Sequence, residues 1–403
     1  MLVPTGMNVF YNHEILWLFC IIGDLIYMTS KTRMKITDVK LIQLKELEAV
    51  GSIEPAWNKG GLMRFSKGGG SFTEVHTDEG IVGIGPGMDP SIIESVKNVV
   101  VGEDPFEIEQ IAQRLKYYVH TLPYRGAAGV DVAIWDVIGK ASGQPLYKLW
   151  GGSKDRMMPY ASMILLSTPE ERAELAGSLS EEGWKAIKLR LHHETIEEDI
   201  RTVELVRDAV KDSMQIMVDA NQAQSVGKWQ PGVIWDFRRA FETATLLGEL
   251  GVYWLEEPLQ RHSFDDLARL NGSVAIPIAG GENNRGIHEF KAMLENNVYD
   301  VLQPESMVLD GITEVRKIGV LSELYGKEIV PHHGGGDIGV IAHLHLVASW
   351  PNAPYLELLN DPPIGSYAHK FSIFKNPPLV EKGWISLPDS PGLGIEIDPA
   401  YIK

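Results

Sequence analysis

From Met34 onward the chain changes hydrophobic rhythm twice. "ITDVKLIQL" alternates apolar and polar positions like a half-exposed strand. "GGGSFTEVHTDEGIVGIG" reads as two strands joined by a turn at Asp78-Glu79-Gly80. Helical spacing follows from Pro90 to about Val119. In Tyr124 to Gly152, the residues Val130, Ala133, Ile134, Val137 and Ile138 recur at helical spacing. Gly126, Ala127, Ala128 and Gly129 let that helix approach a neighbour closely, and "GQP" stops it. Together these elements predict an α+β block.

From Met158 short apolar runs alternate with amphipathic segments. The runs are "MPYASMIL", "KAIKLRLH", "QIMVDANQ", "VYWLEEP", "IPIAGGEN", "DVLQPES", "EIVPHHG" and "YLELLN". Helix patterns such as "TPEERAELAGSLSEEG" and "GITEVRKIGVLSELYG" fill most intervals. Regular βα alternation implies a parallel sheet, and eight units imply a (β/α)8 TIM-like barrel. Neither a dinucleotide-binding nor a P-loop glycine motif follows any strand, which lowers the nucleotide-binding reading. The expected organisation is an α+β capping domain over residues 34–155, completed by 375–403, and a barrel over 156–374. The apolar run Glu14 to Met28 is short for a membrane span, which needs roughly 20 apolar residues. It makes a poor signal peptide, with no Lys or Arg before it. Residues 1–33 are read as an extension outside the fold.

Composition narrows the partners. The 403 residues are 44% hydrophobic and 23% charged, ordinary for a globular enzyme. A formal charge of −17 argues against nucleic acid and anionic membrane surfaces as partners. It leaves room for an anionic small molecule in a locally cationic cleft. The single cysteine, Cys20, rules out an intramolecular disulfide and fits a reducing cytoplasm.

Acids gather where the strands end, which is the active face of such barrels. Asp219 ends "MVDAN", Glu256 ends "WLEEP" and Glu282 ends "AGGEN". Three carboxylates converging on one axis repel unless a cation sits between them, and oxygen-only donors suit Mg2+. The competing reading is three surface acids paired with Lys or Arg. Side-chain alternation places Asn221 on the same side as Asp219, turns Glu257 away from Glu256, and puts Gly280 beside Glu282. One strand earlier, Lys188 and Arg190 share a face. A lysine there is an electrophile or a base, whereas a guanidinium holds anions and transfers protons poorly. Glu305 and His332 end adjacent strands, so a carboxylate–imidazole pair is expected. Glu357 ends the eighth strand. Of the paired histidines in "IVPHHGGGDIG", only one can face the interior.

The ordered set "AAGVDVAIWDVIGKASGQPLYKLWGG", "KLR", "VDAN", "WLEEP", "GGEN", "QPE", "PHHG" and "YLE" resembles the enolase superfamily, mandelate racemase subgroup. Within it the chain looks closest to sugar-acid dehydratases of the L-rhamnonate dehydratase group. The resemblance implies Mg2+ on Asp219, Glu256 and Glu282, and removal of the proton α to a carboxylate to give an enediolate. It selects His332 as the base and leaves His333 pointing away, with Val330 inward and Glu328 at the barrel floor. It gives Lys188 an electrostatic role, Glu357 a contact to the substrate carboxylate, and Asn221 a substrate contact. Sugar specificity is expected from the loop at 51–70, with Trp57 and Arg64 as candidates. Two positions depart from the family: Arg190 replaces a second lysine, and Glu305 replaces an aspartate. Arg190 handicaps a two-base racemase and favours dehydration of an aldonate or aldarate to a 2-keto-3-deoxy acid. The alternatives are a racemase, epimerase or cycloisomerase on the same scaffold, and a non-catalytic ligand-binding barrel. The resemblance also implies a homo-oligomer.

Overall fold

The computed structural model describes residues 33–119, 126–225 and 232–403. The expected extension lies outside them, apart from Arg33. The first block contains β1 (Ile36–Gln43), β2 (Glu46–Ile53), β3 (Met63–Gly68), β4 (Ser71–Thr77) and β5 (Val82–Pro86). β1, β4 and β5 form an antiparallel sheet, and β2 pairs with β3 as a hairpin. The segment expected as a loop over 51–70 is therefore largely hairpin, with the loop proper confined to 54–62. The helices α1 (Ile93–Val100), α2 (Ile108–Val119) and α3 (Ala128–Ala141) follow.

Helix α3 joins the parts of the molecule. It lies backbone to backbone on β5: a Cβ at Gly85 would come within 2.0 Å of the Gly129 carbonyl oxygen. Its buried Asp136 accepts from the backbone N–H of Ile84 (2.8 Å) and of Leu393 (2.7 Å). Its buried Asp131 accepts from the backbone N–H of Thr313 at 3.0 Å. One helix thus ties the cap sheet, the barrel and the C-terminal segment together. That segment also returns to the first strand, where the Lys45 N–H donates to the Tyr401 carbonyl at 2.7 Å.

The barrel strands are β6 (Arg156–Ser162), β7 (Ala186–Arg190), β8 (Gln215–Asp219), β9 (Leu255–Glu256), β10 (Ile278–Gly280), β11 (Val301–Leu302), β12 (Glu328–Ile329) and β13 (Tyr355–Leu359). Neighbours pair in parallel from β6 to β12, and β13 pairs with β6. The Ile329 N–H donates to the Asn352 carbonyl just before β13, closing the ring. Between them run α4 (Pro169–Glu182), α5 (Ile196–Val210), α6 (Phe237–Glu249), α7 (Phe264–Asn271), α8 (Gly286–Glu295), α9 (Ile312–Leu324) and α10 (Ile338–Ser349), and a short α11 (Tyr367–Phe371) follows β13. Local chemistry starts these helices. Thr168 and Glu171 make a reciprocal capping box on α4, while Thr195 and Asp236 cap α5 and α6 through side-chain oxygens. No helix among the described residues is long and apolar enough to cross a membrane.

Eight side chains, one from each strand region, fill the barrel interior: Tyr160, Ala186, Met217, Trp254, Ala279, Val301, Val330 and Tyr355. The rings of Tyr160 and Trp254 meet edge to face at 5.5 Å, a favoured aromatic geometry. Val330 is inward as expected. Glu328 lies at the floor, where the Tyr253 hydroxyl donates to its carboxylate at 3.0 Å.

The ends of β6 and β13 are held by a buried ion pair. Asp361 accepts from the backbone N–H of Ile164 (2.8 Å) and Leu165 (2.7 Å), and the Arg172 guanidinium of α4 lies 3.1 Å away. Both side chains are at most 5% exposed. Removing one partner of such a pair strands the other charge, at about 3–5 kcal/mol. Asp361→Ala should lose about that much stability in urea denaturation; a loss below about 1 kcal/mol would show the pair to be dispensable.

Candidate active site

The alternation that fills the interior also builds the site. Two residues beyond each apolar interior position comes the next inward one. Ser162 follows Tyr160, Lys188 follows Ala186, Asp219 follows Met217 and Glu256 follows Trp254. On three further strands Gln303 follows Val301, His332 follows Val330 and Glu357 follows Tyr355. The parallel register places Arg190 beside Asp219, and Asp219 beside Glu256. A polar layer therefore sits directly on an apolar one.

Lys188 is fully buried at the centre of this layer. Its ammonium lies 2.8 Å from Glu256, 3.0 Å from Glu357 and 3.9 Å from Asp219. Burial alone would lower its pKa, but Glu256, Glu357 and Asp219 outweigh burial and raise it. Glu257 has no such compensation. Burial and its neighbours Glu282 and Asp219 push its carboxyl well above the usual range. Glu256 is raised to about 7, by burial first, although Lys188 and the Gln303 amide (2.6 Å) both donate to it. Burial would raise Glu357 as well, yet Lys188 and His332 hold it below the usual carboxylate range. Arg190 pairs with Asp219 and also donates to the Ser162 hydroxyl at 3.1 Å.

The Glu305–His332 pair is present. Glu305 Oε2 lies 3.0 Å from His332 Nδ1 and accepts from the Gly334 N–H at 2.9 Å, while Oε1 accepts from the Met307 N–H at 2.8 Å. Burial would raise Glu305, but the hydrogen bond to His332 and the nearby imidazoles of His343, His332 and His333 draw it down to about 2. The second ring nitrogen, His332 Nε2, lies 3.1 Å from Glu282. Burial would lower the His332 pKa, but Glu282, Glu357 and Glu305 push it up to about 10. Fixing Nδ1 against a carboxylate aims Nε2 at the open side of the site.

A cavity of about 430 Å3 opens here, lined among others by Trp57, Arg190, Asn221, Glu257, Glu282, His332 and His333. Trp57 reaches it from the cap loop and stacks over the Arg190 guanidinium at 5.2 Å. Asn221 sits in the left-handed region (φ 50°) and donates from its side chain to Asp219 at 3.0 Å.

Four expectations need correction. Glu257 lines the cavity instead of pointing away, because β9 is two residues long and Glu257 itself turns to φ 46°. His333 also lines the cavity, its ring 4.0 Å from that of His332, because β12 ends at Ile329, before the histidines. Gly280 does not share a side with Glu282. A Cβ there would strike the Tyr299 ring outside the barrel interior, and Gly281 (φ 120°) then breaks the alternation. Arg64 is exposed on β3 and does not line the cavity; Phe65 is buried and Met63 lines the cavity, which puts Arg64 on the solvent side.

The expected metal-binding acids are each turned to a cation of the chain: Asp219 to Arg190, Glu256 to Lys188 and Glu282 to His332. Their oxygens do not converge within 4.8 Å of one another; among the described residues the group that does is Glu305, His332 and His333. The donor chemistry nevertheless fits a hard cation. Asp219, Glu256, Glu257 and Glu282 supply only carboxylate oxygens, and Glu257 is buried among acids. Sequence reasoning missed Gln303 and Ser162, to which the two-residue step pointed, and turned Glu257 away.

Two family models cover most of the described chain. Residues 170–401 match the enolase C-terminal domain-like family, and residues 67–151 match the mandelate racemase / muconate lactonizing enzyme N-terminal domain. Arabinonate dehydratase of Saccharolobus solfataricus is 31% identical over 81% of this chain and 87% of its own. D-galactarolactone cycloisomerase of Agrobacterium fabrum is 29% identical over 83% and 91%. The crystal structure of L-talarate/galactarate dehydratase from Salmonella typhimurium LT2, liganded with Mg and L-lyxarohydroxamate, aligns with a TM-score of 0.77 at 25% identity, covering 93% of this chain and 94% of that one.

The raised pKa of His332 has a sign that can be tested. A group whose folded pKa lies above its unfolded value of 6.5 adds stability that is complete below about pH 6.5 and lost as the pH climbs through about 10. Unfolding free energy should therefore fall between those limits more steeply in the unaltered chain than in His332→Gln. Parallel slopes in urea denaturation would refute the assignment.

Proposed function

The chain belongs to the enolase superfamily, and we propose that it is a Mg2+-dependent hydro-lyase that dehydrates a sugar acid to a 2-keto-3-deoxy acid. Sites of this superfamily pair a Lys or His base with one or two Mg2+ ions. The observation that carries the reading is an asymmetry of bases. His332 is an imidazole facing the cavity, and its raised pKa is held up chiefly by Glu282, an acid the ion would neutralise, whereas Lys188 is paired with Glu357 as well as Glu256 and the Arg190 guanidinium stays charged at any working pH. A racemase needs a proton acceptor on each face of the α-carbon, and neither of these cations is one.

Asp219, Glu256 and Glu282 would hold the ion, with Glu257 as a further oxygen donor on the same wall. When bound, it would neutralise these acids and stabilise negative charge developing on the substrate carboxylate. His332 Nε2 removes the α-proton, and Glu305 holds the imidazolium that forms. The same imidazolium then gives its proton to the departing β-hydroxyl. Lys188 keeps a permanent positive charge under the substrate carboxylate, and Arg190 holds Asp219 in place. Trp57 and Asn221 contact the sugar chain, and the substrates named for relatives, arabinonate and L-talarate/galactarate, support sugar acids as the substrate class.

The test is a panel of aldonates and aldarates with Mg2+, read for 2-keto acid and for solvent deuterium at the α-carbon. Keto acid supports the proposal; epimerisation or cyclisation without elimination overturns it. His332→Asn should lower turnover by at least about 100-fold, the scale of general-base catalysis, while Mg2+ affinity stays unchanged. Near-normal turnover in that variant would exclude His332 as the base. Asp219→Asn should weaken Mg2+ binding about ten-fold or more by calorimetry, and an unchanged affinity would remove Asp219 from the ion's ligands.

A further inference from the structure

The acids proposed for Mg2+ are oxygen donors, but a second set of donors of different character adjoins them. Glu305, His332 and His333 each offer one ligand atom, and the three atoms lie within 4.8 Å of one another. Two imidazoles and one carboxylate are a poor home for Mg2+ and a good one for a borderline ion such as Zn2+, Co2+ or Ni2+. We propose that Glu305, His332 and His333 form a site for such an ion, and that its occupation stops proton transfer at His332.

The geometry suits this. Zinc–nitrogen and zinc–oxygen bonds of about 2.0–2.2 Å at tetrahedral angles place neighbouring ligand atoms about 3.3 Å apart. Glu305 Oε2 and His332 Nδ1 are 3.0 Å apart, and the two imidazole rings are tilted by 43° with centroids 4.0 Å apart. Small rotations bring all three atoms to one centre. Glu305 is oriented beforehand by the backbone N–H groups of Met307 and Gly334, the kind of support that outer partners give to metal ligands. The Gly335 N–H donates to His333 Nδ1 at 3.1 Å, so that nitrogen carries a lone pair rather than a proton. Binding there exchanges one amide hydrogen bond for a metal–nitrogen bond. Both rings face the cavity, which gives the ion a way in from solvent.

The binding claim stands apart from the proposed reaction; only the inhibition rests on His332 being the base. The experiment uses the full chain with Mg2+ in large excess and Zn2+ titrated by equilibrium dialysis. Co2+ serves as a visible-absorption probe of nitrogen ligation. One equivalent of Zn2+ should remain bound against Mg2+, and His333→Ala should weaken it at least about ten-fold while leaving Mg2+ affinity unchanged. His333→Asn, checked for folding by circular dichroism, should do the same. Displacement of all Zn2+ by Mg2+, or unchanged Zn2+ affinity in both folded variants, overturns the site. If Zn2+ binds as expected and the loaded protein still turns over at its Mg2+ rate, the inhibition is wrong and so is the assignment of His332 as base.

Discussion

The burial of the Lys188 ammonium is the constraint on which the rest depends. An isolated charge at that depth costs several kcal/mol, and the barrel keeps it only by surrounding it with Glu256, Glu357 and Asp219. Each of those acids must in turn be held. Glu256 takes the Gln303 amide and the Trp254 indole, and Asp219 takes Arg190 and Asn221. The pairings of Glu256, Glu357 and Asp219 follow from that one charge. The wall that escapes compensation, around Glu257, is the one that faces the cavity.

The architecture was largely legible because barrel strands and helices carry different periods. All eight apolar runs became β6 to β13, and the helix patterns between them became helices. The same two-residue step put Lys188 and Arg190 on one face and Asn221 with Asp219, while the choice of His332 over His333 and the role of Glu357 came from the family resemblance. The step failed where strands stop. β9 and β12 are two residues long, so at Glu257 and His333 the backbone had already left the alternation that was used to point them outward. Gly280 was misplaced for a related reason, since Gly281 turns the chain before Glu282. Arg64 failed differently: a hairpin stood where a loop was expected, and hairpins have two faces. None of these turns has a local hydrophobic period from which to read it.

The cap is joined to the barrel by two very different devices. Helix α3 is bound rigidly, with Asp131 and Asp136 satisfied by backbone groups from the barrel and the C-terminal segment. The loop at 54–62 is bound lightly. It reaches the charged layer through Trp57, whose indole lies over Arg190 and is still 40% exposed.

That contrast separates what can vary from what cannot. A ring laid on a guanidinium makes few directional demands, so residues around Trp57 can be exchanged without disturbing any ion pair beneath. A change inside the layer would require simultaneous change in its partners on neighbouring strands. Divergence toward new substrates on this scaffold therefore has an easy route through the cap loop and a steep one through the barrel. Chains that share the acid layer can differ freely in what they recognise.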